Sequence, residues 1–192
     1  MHAKKIPSIT CNNPFCNEQK GGKCEVESIY ESRNERELLF LRESNAIESV
    51  YDTKSLVQAV KAWEYLTSKR KLTQEVIKKT HEILMKYQSI APEDKGSYRQ
   101  CKVWVGSHEG ITHHFIPQYL ENWLYISSRT KVADNKAEWI RQLHMQYEQI
   151  HPFIDGNGRT GRMFMNWQRL KTGLPLMVIF EKYKYDYYKW FN

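Results

Sequence analysis

A chain of 192 residues, 41% hydrophobic and 27% charged, is long enough to bury a core without disulfides or metals. It suits one domain with a short extension. A formal net charge of +7 and a pI near 9.1 favour an anionic partner (nucleic acid, a membrane surface or a polyphosphate) or describe a mildly basic soluble protein. No apolar run approaches the ~20 residues that span a bilayer. The start, MHAKKIPSIT, lacks the apolar core of a secretory signal, so a cytoplasmic protein without a membrane partner is expected.

In chain order, residues 1–25 read as a flexible leader rich in Asn, Gly and Pro. Its Cys11, Cys16 and Cys24 lack the paired C-x2-C spacing of a zinc site, and the nearest histidine is His2. Reduced thiols in a loose tail are expected instead. Residues 26–70 read as N-terminal helices. Leu38, Leu39, Leu41 and Ile47 lie among Glu and Arg in the first. Asp52 or Thr53 caps a second, whose apolar stripe is Leu56, Val57, Val60 and Trp63. Residues 71–192 read as the core domain. Thr73 caps a helix carrying Val76, Ile77, Thr80, Ile83, Leu84 and Tyr87.

The texture then changes. Val103–Val105 predicts a strand, Gly106–Gly110 a turn and His113–Ile116 a return strand, forming a β-hairpin in a helical protein. Helices resume after Pro117, with Tyr119, Leu120, Trp123 and Leu124 facing inward. The next opens at Asp134 or Asn135, buries Ile140, Leu143, His144 and Tyr147, and stops near His151, because Pro152 disfavours a helical residue before it. A further helix runs from about Arg159 to Lys171 and is closed by Gly173 and Pro175. The last stretch, Glu181–Phe191, is expected to be helical. The fold class is mainly α.

The chemistry concentrates in His151–Arg162, HPFIDGNGRTGR. A loop entering a helix leaves backbone N–H groups free at the positive end of the helix dipole. Gly156 and Gly158 lack side chains, so a phosphate can approach that backbone. Arg159 and Arg162 offer planar guanidinium groups to phosphate oxygens. Asp155 is a hard oxygen ligand suited to Mg2+, and His151 can act as a base near neutral pH. Each part alone has a plain structural reading. Together, within twelve residues, they describe a phosphoryl- or nucleotidyl-transfer site.

The same segment closely resembles the Fic family signature HxFx[D/E]GNGRxxR, with every specified position filled. GSYRQCKVWVG followed by HHFIP resembles the family's hairpin, or flap, and YDYYKWF its Tyr-Tyr segment near adenine. The resemblance implies a helical bundle with a flap over an active site that moves AMP from Mg-ATP to a Ser, Thr or Tyr hydroxyl of a protein. It further implies His151 as base, Asp155 as ligand of Mg2+ and Gly156–Gly158 amides as an anion hole, with Asn157 orienting phosphate. Arg159 would meet the β-phosphate and Arg162 the γ-phosphate. Thr160 and Gly161 fall in the nucleotide-binding segment, and Asn166, Tyr187 and Tyr188 near the nucleoside. Val103, Val105 and Gly106 would form the edge to which an extended target adds. Gly158 implies AMP transfer, since the phosphorylating Doc branch has lysine there.

Upstream, Ser44-Asn45-Ala46-Ile47-Glu48-Ser49 resembles the family's inhibitory motif [S/T]xxxE[G/N], departing from it at Ser49. Ser44 and Glu48 share a helix face, and the resemblance implies that Glu48 occupies Arg162. It also implies auto-modification and leaves room for a homodimer. Two alternatives stay open: removal of AMP from modified protein by the same site, and a nucleotide-binding regulatory module without transfer. Nucleic-acid binding rests on the basic balance alone, with no reading helix or aromatic platform behind it, and is not expected. Lysines such as Lys69, Lys71, Lys78 and Lys79 read as solvated faces.

Overall fold

The computed structural model describes residues 34–105 and 108–191. The leader with Cys11, Cys16 and Cys24, and Gly106 of the hairpin, lie outside the described residues. Seven α-helices and one hairpin are present among those described. The helices are α1 (Glu35–Ile47), α2 (Thr53–Thr67), α3 (Gln74–Leu84), α4 (Ile116–Ser127), α5 (Lys136–Ile150), α6 (Asn157–Lys171) and α7 (Lys184–Tyr188). The hairpin pairs β1 (Trp104–Val105) with β2 (His108–Glu109). No described helix is long and apolar enough to cross a membrane.

Local chemistry sets the helix starts. Asp52 accepts hydrogen bonds from the Ser55 N–H and hydroxyl at 2.9 and 2.7 Å. Thr73 accepts from Val76 N–H at 3.2 Å and Asn135 from Glu138 N–H at 3.1 Å. Each cap satisfies an amide that the helix ladder leaves free, worth about 1 kcal/mol.

The core is one aromatic-rich cluster. Trp63, Leu66, Ile77, Leu120, Trp123, Tyr147, Phe153 and Phe164 are almost fully buried. Burying each such side chain contributes about 1.5–3 kcal/mol. Phe40 meets the edge of Trp63 at 5.4 Å, and Tyr147 meets Phe164 edge-on at 5.3 Å. The Trp123 indole N–H is satisfied by the Leu143 carbonyl at 2.7 Å. Helix α6 lies at the centre, packed on α5 and touched by α1, α2 and α3. It is therefore buried nearly all round from Asn157 to Gln168. That position makes the N-terminus of α6 a natural floor for a site.

Three expectations are corrected. The return strand is His108–Glu109, and His113–Phe115 forms a 3-10 turn that feeds α4, with Pro117 in its first turn. Pro lacks an N–H, so it suits the first turn of a helix, where that donor has no partner. Tyr87 lies beyond the end of α3 and is exposed. Tyr119 is exposed as well, because α4 faces the core with Ile116, Leu120 and Trp123, and with Leu124 packed partly buried beside them.

Candidate active site

The site is the bend between α5 and α6. His151 caps α5 in a left-handed conformation, φ 47° and ψ 63°. This is an uncommon geometry for a residue with a side chain, held at a cost on the order of 1 kcal/mol or more. The surroundings enforce it. Its carbonyl accepts from Arg99 Nε at 2.7 Å, and its N–H donates to Tyr147 at 3.0 Å. Its Nδ1 lies 3.2 Å from the Glu148 carbonyl. A carbonyl only accepts, so Nδ1 carries the proton and the lone pair is on Nε2. Burial lowers the pKa of this imidazole, and the neighbouring Arg99 charge acts in the same direction, while the Glu148 carbonyl opposes. A neutral ring with a free Nε2 is the form that can take a proton.

Arg99 was not singled out from the sequence. It is 2% exposed, and besides His151 it donates to the carbonyls of Cys101 at 2.6 Å and Ile111 at 2.5 Å. Both ends of the hairpin are thereby tied to the histidine. His81 was also missed. Its Nδ1 accepts from Gly96 N–H and its Nε2 donates to the Asp155 carbonyl, each at 2.9 Å. The ring stacks on Phe153 at 3.7 Å. Burial first, and then the Arg159 charge, lower its pKa to about 4, so the ring is neutral and bridges the hairpin segment to the carboxylate loop.

In that loop Gly156 takes φ 77°. A Cβ there would meet Met85 Sδ at 2.7 Å, so both conformation and space require glycine. The first bond of α6 runs from Thr160 N–H to the Gly156 carbonyl at 3.0 Å. The N–H groups of Asn157, Gly158 and Arg159 therefore stand outside the ladder at the positive end of the helix. Asp155 accepts from Gly156 N–H at 2.6 Å and sits 3.3 Å from Arg159 Nη2, with a half-exposed side chain. The Arg159 guanidinium is 2% exposed, yet its Nε and Nη1 have no hydrogen-bond partner among the described residues. Buried donors of this kind are costly unless something accepts from them.

Arg162 is 1% exposed and fully engaged. It donates to the Ser44 hydroxyl at 2.9 Å, the Ser44 carbonyl at 2.8 Å, Glu48 Oε1 at 2.7 Å and the Tyr187 hydroxyl at 3.4 Å. Desolvation opposes its charge and is outweighed by Tyr187, Glu48 and Glu148, so its pKa stands above the ordinary value. Ser44 and Glu48 come from one end of α1. That end is a Schellman motif: Val50 N–H reaches the Asn45 carbonyl at 3.1 Å and Ser49 N–H the Ala46 carbonyl at 2.9 Å. Ser49 takes φ 59°, the left-handed position where glycine or asparagine is favoured. The departure seen in the sequence thus falls on the residue of this helix end whose backbone prefers glycine.

Other expected site residues have different partners. Asn157 is 2% exposed, and its side-chain amide bonds both the N–H and the carbonyl of Phe153 at 2.9 and 2.8 Å. It sets the loop, and leaves its backbone N–H, not its side chain, for an anion. Thr160 points into α5, bonding the Tyr147 hydroxyl at 3.0 Å and the Gly156 carbonyl at 2.9 Å. Gly161 faces the same way, since a Cβ there would collide with Glu148 Oε1. Asn166 is fully buried and binds the Met177 carbonyl and N–H at 3.0 and 2.8 Å. Tyr187 is 4% exposed with its hydroxyl on Arg162 and His144, whereas Tyr188 is partly open.

The hairpin edge expected to dock a target is oriented differently. Gly110 N–H bonds the Val103 carbonyl, and Val105 pairs with His108. Alternation in an antiparallel ladder then turns the main-chain groups of Val103 and Val105 toward β2 and those of Trp104 outward.

The fold is a helical bundle with a glycine bend, a partly buried imidazole and two buried guanidinium groups near a helix N-terminus. Residues 71–168 match the Fic/DOC family, and the chain belongs to that family. It is 30% identical over 107 residues to a protein adenylyltransferase Fic of Aedes aegypti, covering 52% of this chain and 20% of that one. A Nematostella vectensis protein of the same name is 31% identical over 104 residues, covering 53% and 24%. The chain thus spans about a fifth to a quarter of the length of these curated relatives. A crystal structure of a Fic domain containing signaling protein from Bacteroides thetaiotaomicron shares the fold with a TM-score of 0.68 at 20% identity, covering 85% of this chain and 73% of that one. Fic-1 from C. elegans gives 0.69 at 17% identity, covering 90% and 58%.

Proposed function

We propose that this chain transfers AMP from Mg-ATP to a hydroxyl of a protein, and that Glu48 restrains the reaction. The observation that carries the reading is Arg159: a buried guanidinium with two nitrogens that lack a partner among the described residues, beside three helix amides outside the ladder. Such donors call for an acceptor, which the oxygens of a polyphosphate would supply.

In this reading the target hydroxyl attacks the α-phosphorus. Its proton passes to Nε2 of His151 as the new O–P bond forms. The bond between the α- and β-phosphates breaks, and pyrophosphate leaves with that electron pair. Arg159 and the α6 amides neutralise the growing negative charge, the usual main source of rate in phosphate chemistry. Asp155 would hold Mg2+. One exposed carboxylate, with no cluster of three or more metal-ligating side chains among the described residues, fits an ion that keeps waters and nucleotide oxygens as its other ligands. When bound, the ion supplies charge neutralisation for the phosphates.

Arg162 would bind the γ-phosphate once Glu48 leaves it. Glu48 withholds that guanidinium through the 2.7 Å contact, so ATP would otherwise sit unproductively. An extended target would add to the outer edge of β1 through Trp104.

The test is mass spectrometry of Glu48→Gly after incubation with Mg-ATP. A gain of one AMP, larger than in wild type and absent when His151→Ala is added, is expected. A folded Glu48→Gly protein that binds ATP yet transfers nothing would overturn the enzyme in favour of a binding module. The position of Glu48 against Gly158 supports a second reading, in which its carboxylate activates water to release AMP from modified protein. Release of AMP from a modified target under different divalent ions separates the two directions.

A further inference from the structure

Behind Arg162 lies a line of polar groups with no part in the steps above. The Tyr187 hydroxyl is 3.4 Å from Arg162 Nη1 and 2.7 Å from His144 Nε2. Arginine can only donate, so the hydroxyl accepts from Arg162 and keeps its own proton available to His144 Nε2. With Nε2 as that acceptor, the proton of the neutral imidazole resides on Nδ1. That nitrogen lies 3.9 Å from Glu148 Oε1. Neither atom makes a hydrogen bond of good geometry among the described residues, although the Gly161 backbone lies close enough to favour a proton on the imidazole. Gly161 leaves the space for this carboxyl, because a Cβ would collide with it. The donation from Arg162 to Tyr187 is fixed by chemistry, and a His144 tautomer with Nε2 unprotonated continues it inward.

We propose that Tyr187 and His144 are positioning residues that hold the Arg162 guanidinium in place when Glu48 is not bound to it. The inference rests on the reading of Arg162 as the γ-phosphate ligand. Of the contacts on Arg162, those from Ser44 and Glu48 come from α1, the element that must yield for activation. The Tyr187 contact comes from α7 and is braced by α5, which packs directly on α6. When the α1 contacts loosen, the relay is what keeps a buried arginine from searching other rotamers. It acts on one oxygen group of the nucleotide only, the γ-phosphate.

This specificity makes the test. Affinities for ATP, ADP and AMP are measured by calorimetry with Mg2+ in the Glu48→Gly protein, with and without Tyr187→Phe. The substitution keeps the ring contacts to Trp190 and Phe191 at 5.3 and 5.2 Å, so folding is retained. Loss of one hydrogen bond to a charged group predicts ATP binding weaker by about tenfold or more, with ADP and AMP unchanged. Equal weakening of all three nucleotides would show a nucleoside contact or a general structural role and overturn the proposal, as would no change in any. If Glu48→Gly itself binds ATP no better than ADP, the γ-phosphate reading of Arg162 fails, and the relay's purpose with it. Nitrogen NMR of His144 gives an answer independent of nucleotide: an unprotonated Nε2 is expected, and the opposite tautomer would sink the relay.

Discussion

The carboxylate of Glu48 lies so close to the α-carbon of Gly158 that any side chain at position 158 would collide with it. The absence of a side chain there is thus a condition for the Glu48–Arg162 contact as well as for an anion at the helix N-terminus. Gly158→Ala should cost about 1–3 kcal/mol of stability from overpacking. In the Glu48→Gly background most of that cost should vanish, since the colliding atoms are gone and neighbours of this kind couple strongly. Denaturant midpoints of the four proteins check it. Equal cost in both backgrounds would mean that Glu48 does not occupy this position.

Ser49 gives a prediction of opposite sign. Its φ of 59° is strained for serine and natural for glycine, so Ser49→Gly should raise stability by up to about 1 kcal/mol. For a chain of this size that is a rise of about 2–4 °C in Tm. A firmer end of α1 also holds Glu48 more firmly, so auto-modification should fall. A lower Tm would show that the left-handed turn is not what limits this helix end.

The buried pair behind Arg162 should leave a signature in stability against pH. Burial raises the Glu148 pKa from 4.5 to about 8, with Arg162 opposing and Glu48 adding to the rise. Burial lowers the His144 pKa from 6.5 to about 3, helped by Arg162. Above pH 4.5 the unfolded chain ionises Glu148 while the native state keeps its proton. Stability therefore falls as pH rises, until the native group also ionises near 8. For His144 the unfolded chain gains a proton below 6.5 and the native state does not, so stability falls on acidification toward 3. The two slopes oppose each other between 4.5 and 6.5. From 6.5 to 8 only the Glu148 slope remains, at about 1.4 kcal/mol per pH unit. Glu148→Gln should abolish that alkaline decline while leaving the acid side in place. A wild-type curve flat from 6.5 to 8 would refute the neutral carboxyl.

What could be read from the sequence divides along physical lines. Caps at Thr73, at Asp52 or Thr53, and at Asp134 or Asn135 were legible because each is a bond between residues three apart. The Gly-Asn-Gly bend and both arginines were legible because the chemistry of an anion site needs those residue types in close order. Thr160, Gly161 and Asn166 were placed near the nucleotide by the family resemblance, which carries positions along the chain and not the direction of each side chain. α6 is buried on nearly every side, so hydrophobic periodicity carries no information about which face meets which neighbour. Val103 and Val105 have strand character, but the direction of their main-chain groups depends on a pairing register that composition does not encode. His81 and Arg99 gave no local signal at all. Their partners lie many positions away, and a buried histidine or arginine looks like a surface one until the fold brings its partners in.

Arg99 joins two parts of the molecule that an incoming protein would touch at different moments. One guanidinium grips the hairpin at both ends and the main chain at His151. Displacement of the hairpin therefore reaches the His151 backbone through a single side chain. Under the proposed function, gripping a target and aiming the base would be coupled through that one guanidinium.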